Sequence, residues 1–314
     1  MRQPLPLEDD RMKTLRMRRS TRMKLSGVLL VLPAMLLIIG MMMYPTLWSV
    51  RISLSSNNSV MSGNYEFVGL ENYHKMFTSS KLWYALQNTV LYVCVTVMLE
   101  LTLGMLMATQ MNRKLPGTKL FRTLTATPMM VASIASGLIW KLIFYDNNGV
   151  MNWFLNGLGI ENVGWFSDQG AARLAVLISS LWGSLPFAVL TLLAGLQSIP
   201  EEYTEAAVID GATGWQRFMH ITLPLLRDTV LMILIIRVSD AYKIYDVIVS
   251  LTNAGPANAT NSISFFIYRR TYFDMKFGEG TAASFILLGV IAVSCLLVLG
   301  LFQWTGREKK HGLG

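Results

Sequence analysis

Reactive chemistry is scarce in this sequence. Of 314 residues only 15% are charged, three are histidine and two are cysteine. His74, His220 and His311 are scattered along the chain, and Cys94 and Cys295 both fall inside long apolar runs. Neither a metal cluster nor a disulfide framework is implied. No G-x-x-x-x-G-K-[ST] is present, so the chain should not bind ATP through a phosphate-binding loop. H-E-x-x-H and G-x-S-x-G are also missing. An enzyme acting inside a membrane would still need a nucleophile and a base at depth, and no such pair stands out.

Apolar length is abundant. The chain is 53% hydrophobic, with a mean hydropathy of +0.43. A helix needs about 20 apolar residues to cross a bilayer. Six segments reach that length: 25–50, 82–111, 123–145, 174–199, 229–251 and 281–306. Pro33, Pro45, Pro128 and Pro186 lie inside them, which membrane helices tolerate because neighbours re-satisfy the freed backbone. The expected fold is therefore all-α, a polytopic membrane protein with six transmembrane helices.

Positive charge orients such a chain. Residues 1–24, 112–122, 200–228 and 307–314 together carry seventeen Lys and Arg, against seven in 51–81, 146–173 and 252–280. Both termini and the 200–228 connection are thus expected on the cytoplasmic side. The net charge of +8 is then mostly topology. The basic arm 1–24 reads as an anchor rather than a nucleic-acid patch. The chain divides into that arm, a membrane domain over 25–306, and a cytoplasmic tail over 307–314.

The connection "SIPEEYTEAAVIDGATGWQRFMHITLP" is long for a link between helices. Pro200 suits a first helical turn, Glu201 and Glu202 favour its positive end, and Gly211 accepts the backbone that ends it. A second short helix begins at "WQRFMHI", and Pro224 closes the connection. The spacing here resembles the loop of ABC-type importer permeases: E-A-A, three residues, G, nine residues, I-x-L-P. Glu205-Ala206-Ala207, Gly211, Ile221, Leu223 and Pro224 meet it in full.

Three further stretches, "FVGLENYHKMF", "WKLIFYDNNGVMNWFLNGLG" and "SLTNAGPANATNSISFFIYRRTYF", resemble carbohydrate-uptake permeases of the maltose or glycerol-phosphate type. The last of them resembles the first of the two paired subunits in such systems. "TNAGP" departs from the two glycines more often found before that proline. The resemblance covers about residues 25–306. It implies an ABC importer permease fold in a bacterial inner membrane. Loop 200–224 would be a coupling helix, with Glu205, Ala206, Ala207, Asp210 and Gly211 docking on an ATPase. It also implies no cofactor in this chain, ATP and Mg held by two ATPase subunits, a second permease, an extracytoplasmic solute-binding protein, surrounding lipid, and no nucleic acid.

One apolar segment breaks its own pattern. In "IIRVSDAYKIYD", Arg237, Asp240, Lys243 and Asp246 recur every third residue with alternating sign. A charge at the bilayer centre costs about 2.5–3.5 kcal/mol on insertion scales, so these four must face protein or water. On a continuous helix residues three apart step by about 300°. The four charges then share one half, with Tyr242 near its edge and Tyr245 on the apolar side. Two readings are open: Arg237 with Asp240 and Lys243 with Asp246 neutralise one another or tie the helix to its neighbours, or this half lines an aqueous path for a solute. Sugar hydroxyls suit such a surface. A polyol, glycerol-phosphate or anionic sugar derivative would suit it if the two cations are free. Glu100 pairs across helices or faces the path, and Asn88 hydrogen-bonds a solute or a neighbouring helix. An ion-coupled secondary transporter is the rival from another class, but no internal repeat is visible.

Overall fold

The computed structural model describes residues 6–113 and 116–311, with side chains given except at 6–28, 59 and 304–311. Residues 1–5 of the expected arm and 312–314 of the expected tail lie outside the described residues. Among the described residues the secondary structure is helical, apart from one isolated bridge between Ser55 and Phe67. In chain order the main helices are α1 (Pro6–Ser53), α2 (Glu71–Phe77), α3 (Ser80–Met111), α4 (Thr118–Ala126), α5 (Ser133–Ile143) and α6 (Val150–Gly157). There follow α7 (Gln169–Gln197), α8 (Glu201–Ile209), α9 (Arg227–Ala241), α10 (Ile263–Tyr268) and α11 (Phe277–His311).

Four single helices are long and apolar enough to cross a bilayer, over Leu29–Ser53, Ser80–Met111, Gln169–Gln197 and Phe277–Gln303. Six were expected; the 123–145 segment would add a fifth only as a bent pair of helices, and 229–251 forms no helix of that length and apolarity among the described residues. The 123–145 segment is bent by 103° between Met130 and Ser133. Pro128 opens a short 3₁₀ turn there, and Val131 and Ala132 take extended backbone, so the helix must restart at Ser133. The 229–251 segment stops being α-helical after Ala241 and becomes helical again at Asp246. Pro33, Pro45 and Pro186 do lie inside continuous helices, as expected.

The long helices α3 and α7 pack along their length and form the spine. Small residues allow this: a Cβ on Gly104 would sit 3.2 Å from that of Ala188. Towards the 200–224 end the pair is sealed by Ala108, Val189, Leu192, Leu196 and Ile233. At the opposite end Tyr92, Phe144, Trp165, Val176 and Ile248 form a second core. Helix α11 closes the side by packing on α1, α2 and α9. Most of the apolar side chains of α1 from Leu29 onward are uncovered, as a lipid-facing helix requires.

The family-like stretches are where loops are pinned. Asn72 donates to the carbonyls of Ser53 at 2.9 Å and Ser55 at 2.8 Å, fixing α2 beneath the end of α1. Asn152 donates to the carbonyls of Asp146 at 2.7 Å and Val163 at 2.9 Å, and accepts from Trp165 Nε1 at 3.0 Å. The Asp168 carboxylate accepts from Ala171 N at 2.8 Å and so starts α7.

Helix α5 meets the resumed helix at 246–252 through Gly137. A Cβ there would overlap the Ser250 hydroxyl and lie 2.9 Å from Ser250 Cβ. Overpacking of this kind costs about 1–3 kcal/mol. Gly137→Ala is expected to lower the melting temperature of the detergent-solubilised protein, and adding Ser250→Gly to recover most of the loss.

Candidate functional site

A cavity of about 430 Å³ opens between α3, α7, the α4–α5 bend and the interrupted helix α9. Its charged wall comes from one side. Helix α9 delivers Arg237 and Asp240, the break beyond it delivers Lys243 and Tyr245, and the resumed helix delivers Asp246. Five of the expected path residues are therefore brought together.

Of the two local pairs open to sequence, Arg237–Asp240 forms and Lys243–Asp246 does not; the charges make a ladder that crosses to α3. Arg237 Nε lies 2.7 Å from Glu100 Oε2, and Nη2 lies 2.9 Å from Oε1, a two-pronged pair across to α3. Ser184 also donates to Glu100. Arg237 Nη1 sits 3.6 Å from Asp240 Oδ2, and Lys243 Nζ sits 2.9 Å from Asp240 Oδ1. Asp246 enters no ion pair among the described residues. The Glu100 side chain is fully buried, that of Arg237 is 14% exposed, and that of Lys243 is 62% exposed. A fully buried carboxylate is tolerable only with charge-assisted bonds to both oxygens, which the Arg237 fork supplies. The guanidinium also lies 6.0 Å from the Phe187 ring centroid. Both cations of the cavity are thereby neutralised by carboxylates.

Three expected path residues do not line the cavity: Glu100, fully buried beneath Arg237, and Tyr242 and Asn88. Tyr242 is buried against α11, its hydroxyl 2.9 Å from Ser294 Oγ. Tyr245 lines the cavity instead. The helical wheel assigned these tyrosines the other way because it ran an unbroken helix through residues 242–245. Asn88 is also outside the cavity lining: it is buried and donates to the Asn261 carbonyl at 3.2 Å.

Several lining groups escaped the sequence reading. Tyr92 on α3, Ser136 on α5, and Ser179 and Ser180 on α7 line the cavity. All four hydroxyls are buried with no hydrogen-bond partner among the described residues. A buried hydroxyl left unpaired is costly, so four around one cavity mark places where a polar ligand or water belongs. The only available signal was "SSLWGS", three serines and a glycine within an uncharged span. Serines in such spans usually bond to neighbouring helices, which concealed these.

At the 200–224 end, α8 forms over Glu201–Ile209 and Gly211 follows with φ +76. Thr213 and Gln216 make a capping box that starts the next short helix. Pro200 caps α8 rather than entering its first turn. Pro224 does not close the connection: the chain turns helical again at once and continues into α9. Ala207 is buried, while Glu205, Ala206, Asp210 and Gly211 are exposed. Ile209 is 86% and Trp215 68% exposed, so the loop presents large apolar side chains outward. Projecting apolar groups rimmed by acids are characteristic of a protein-docking surface.

Residues 100–310 match the family described as binding-protein-dependent transport system inner membrane component. The trehalose/maltose transport system permease protein MalF of Thermococcus litoralis is 36% identical over 273 residues, covering 87% of this chain and 91% of that one. The lactose transport system permease protein LacF of Rhizobium radiobacter is 32% identical over 291 residues, covering 91% and 95%. The crystal structure of a bacterial ABC transporter that imports the acidic polysaccharide alginate contains a similar fold. There the TM-score is 0.78 at 20% identity, with 92% of this chain and 98% of that one covered.

Breaking a buried ion pair by removing one partner costs about 3–5 kcal/mol, whereas replacing both by apolar residues is often neutral. Glu100→Leu and Arg237→Met are each expected to reduce the amount of folded protein in the membrane sharply. The double variant is expected to return most of it, measured by thermal unfolding in detergent.

Proposed function

The chain belongs to the family of binding-protein-dependent transport system inner membrane components, and from that premise we propose that it forms half the translocation path of an ATP-driven importer for a neutral mono- or oligosaccharide. It is a multi-pass protein of the bacterial inner membrane, with both termini on the cytoplasmic side. A second, similar permease supplies the other half of the path. Two ATPase subunits, which hold ATP and Mg, dock on α8 and the turn after it. An extracytoplasmic solute-binding protein delivers the cargo.

One observation carries the choice of solute. The cavity combines unpaired buried hydroxyls with cations that already have carboxylate partners. A neutral, polyhydroxylated ligand satisfies the hydroxyls without competing for the ion pairs. Bound groups such as Tyr92, Ser136 and Ser179 donate and accept in turn, as sugar hydroxyls do, and Tyr245 offers a ring face. An anionic sugar derivative or glycerol-phosphate would have to displace Asp240 from Lys243 or Glu100 from Arg237. The related trehalose/maltose and lactose permeases support the sugar reading.

In the transport cycle the permease alternates between outward and inward states, and the solute drives this only by meeting them differently. ATPase closure would move α8 through Glu205, Ala206, Ala207, Asp210 and Gly211. These residues act by packing and polar contact and do no chemistry.

Uptake of labelled maltose, trehalose and lactose by cells carrying the altered gene tests the reading. Ser179→Ala and Tyr92→Phe each remove one hydrogen bond, worth about 0.5–1.5 kcal/mol. Uptake at low sugar concentration is expected to fall about 2- to 12-fold, and sugar phosphates are not expected to compete. Lys243→Met should lower uptake of charged and neutral sugars alike; a loss confined to the charged ones would favour the anionic reading.

A further inference from the structure

The break after α9 contains neither glycine nor proline, yet the helix opens from Tyr242 to Tyr245 at the depth of the cavity. A carbonyl freed from the helix ladder needs another donor. The donors here are two side chains from the start of α10. Ser262 Oγ donates to the Ile244 carbonyl at 2.7 Å, and Ser264 Oγ donates to the Tyr242 carbonyl at 3.1 Å. Ser262 is fully buried, and neither serine lines the cavity.

We propose that Ser262 and Ser264 are positioning residues for the solute path: they hold the break open and tie it to the 253–261 loop. The proposal rests on reading the cavity as that path. Without the two donors, the freed carbonyls are satisfied most cheaply by an unbroken helix. An unbroken helix turns Tyr245 to the apolar side and Tyr242 to the polar edge, as the wheel requires. The serines thus select which tyrosine faces the cavity, and they set the register of Lys243 and Asp246 beside it.

The same serines continue a chain of bonds into the loop. Ile263 N donates to Thr89 Oγ1 on α3 at 2.9 Å, and the Asn261 carbonyl accepts from Asn88. The Ala259 carbonyl accepts from Arg173 Nε on α7 at 3.0 Å. Thr260 Oγ1 closes the loop internally onto the Gly255 carbonyl at 2.8 Å. The loop is therefore anchored on both spine helices, and a displacement of either is passed through Ser262 and Ser264 to the cavity wall. This gives Asn88 a role: it seats the loop instead of touching solute.

The test is uptake of labelled trehalose, maltose and lactose by cells in which Ser264→Ala, Ser262→Ala or Ser264→Thr replaces the native gene. Membrane abundance and sugar-independent ATP hydrolysis in vesicles are measured alongside. Ser264 caps no helix, so its variant stays informative even if Ser262→Ala, which also removes the cap of α10, fails to fold. Ser264→Ala is expected to lower maximal uptake about 5- to 150-fold, the range for leaving one buried carbonyl without its donor. Abundance and basal hydrolysis should hold, the half-saturating sugar concentration should rise as Tyr245 leaves the cavity, and Ser264→Thr should keep most of the activity. Normal uptake by Ser264→Ala, or a loss that merely follows abundance, overturns the proposal. If the unaltered gene supports no uptake of any neutral sugar, the sugar reading itself falls.

Discussion

The buried pairing of Glu100 with Arg237 is the constraint around which the structure is arranged. It places a carboxylate with no exposed side-chain surface opposite a guanidinium that is 14% exposed. Neither charge could be inserted alone at acceptable cost, so α3 and α9 are locked in register at this level. Arg237, held by that lock, lines the cavity. From it the ladder continues through Asp240 to Lys243, each step more exposed than the last. The result is a polar wall whose two cations are paired, with the Asp246 carboxylate outside the ladder.

The second organising feature is the interrupted helix. A straight 229–251 helix would present a fixed stripe of charge to the path. Opening the backbone at 242–245 instead lets Lys243 and Tyr245 come from a non-helical turn and Asp246 from the resumed helix, while Tyr242 serves the packing against α11. The bend at Pro128 brings the α4–α5 region to the same cavity from the other side. Both irregular segments line the cavity, which is where irregular backbone is tolerated in a membrane.

Much of this was legible in the sequence. Apolar run lengths gave the all-helical membrane class, and the E-A-A to I-x-L-P spacing singled out the loop that forms α8 and exposes Glu205. The alternating charges from Arg237 to Asp246 all lie along one cavity. The partner of Arg237 was not legible, because Glu100 lies 137 residues away and no periodicity connects the two. The break after Ala241 was hidden for a similar reason. It is stabilised from outside the helix by Ser262 and Ser264, and nothing within residues 242–245 signals it. The wheel therefore failed beyond that point, exchanging Tyr242 for Tyr245. The orphan hydroxyls of Tyr92, Ser136 and Ser179 could be recognised only once three helices had been placed around them.

The most direct test of the account is to purify the chain from its native membrane in mild detergent and identify what accompanies it by mass spectrometry, with and without Glu205→Ala. The account predicts a second permease and an ATPase with the unaltered chain, and loss of the ATPase alone with Glu205→Ala. A chain that emerges by itself, or only as copies of itself, would contradict it.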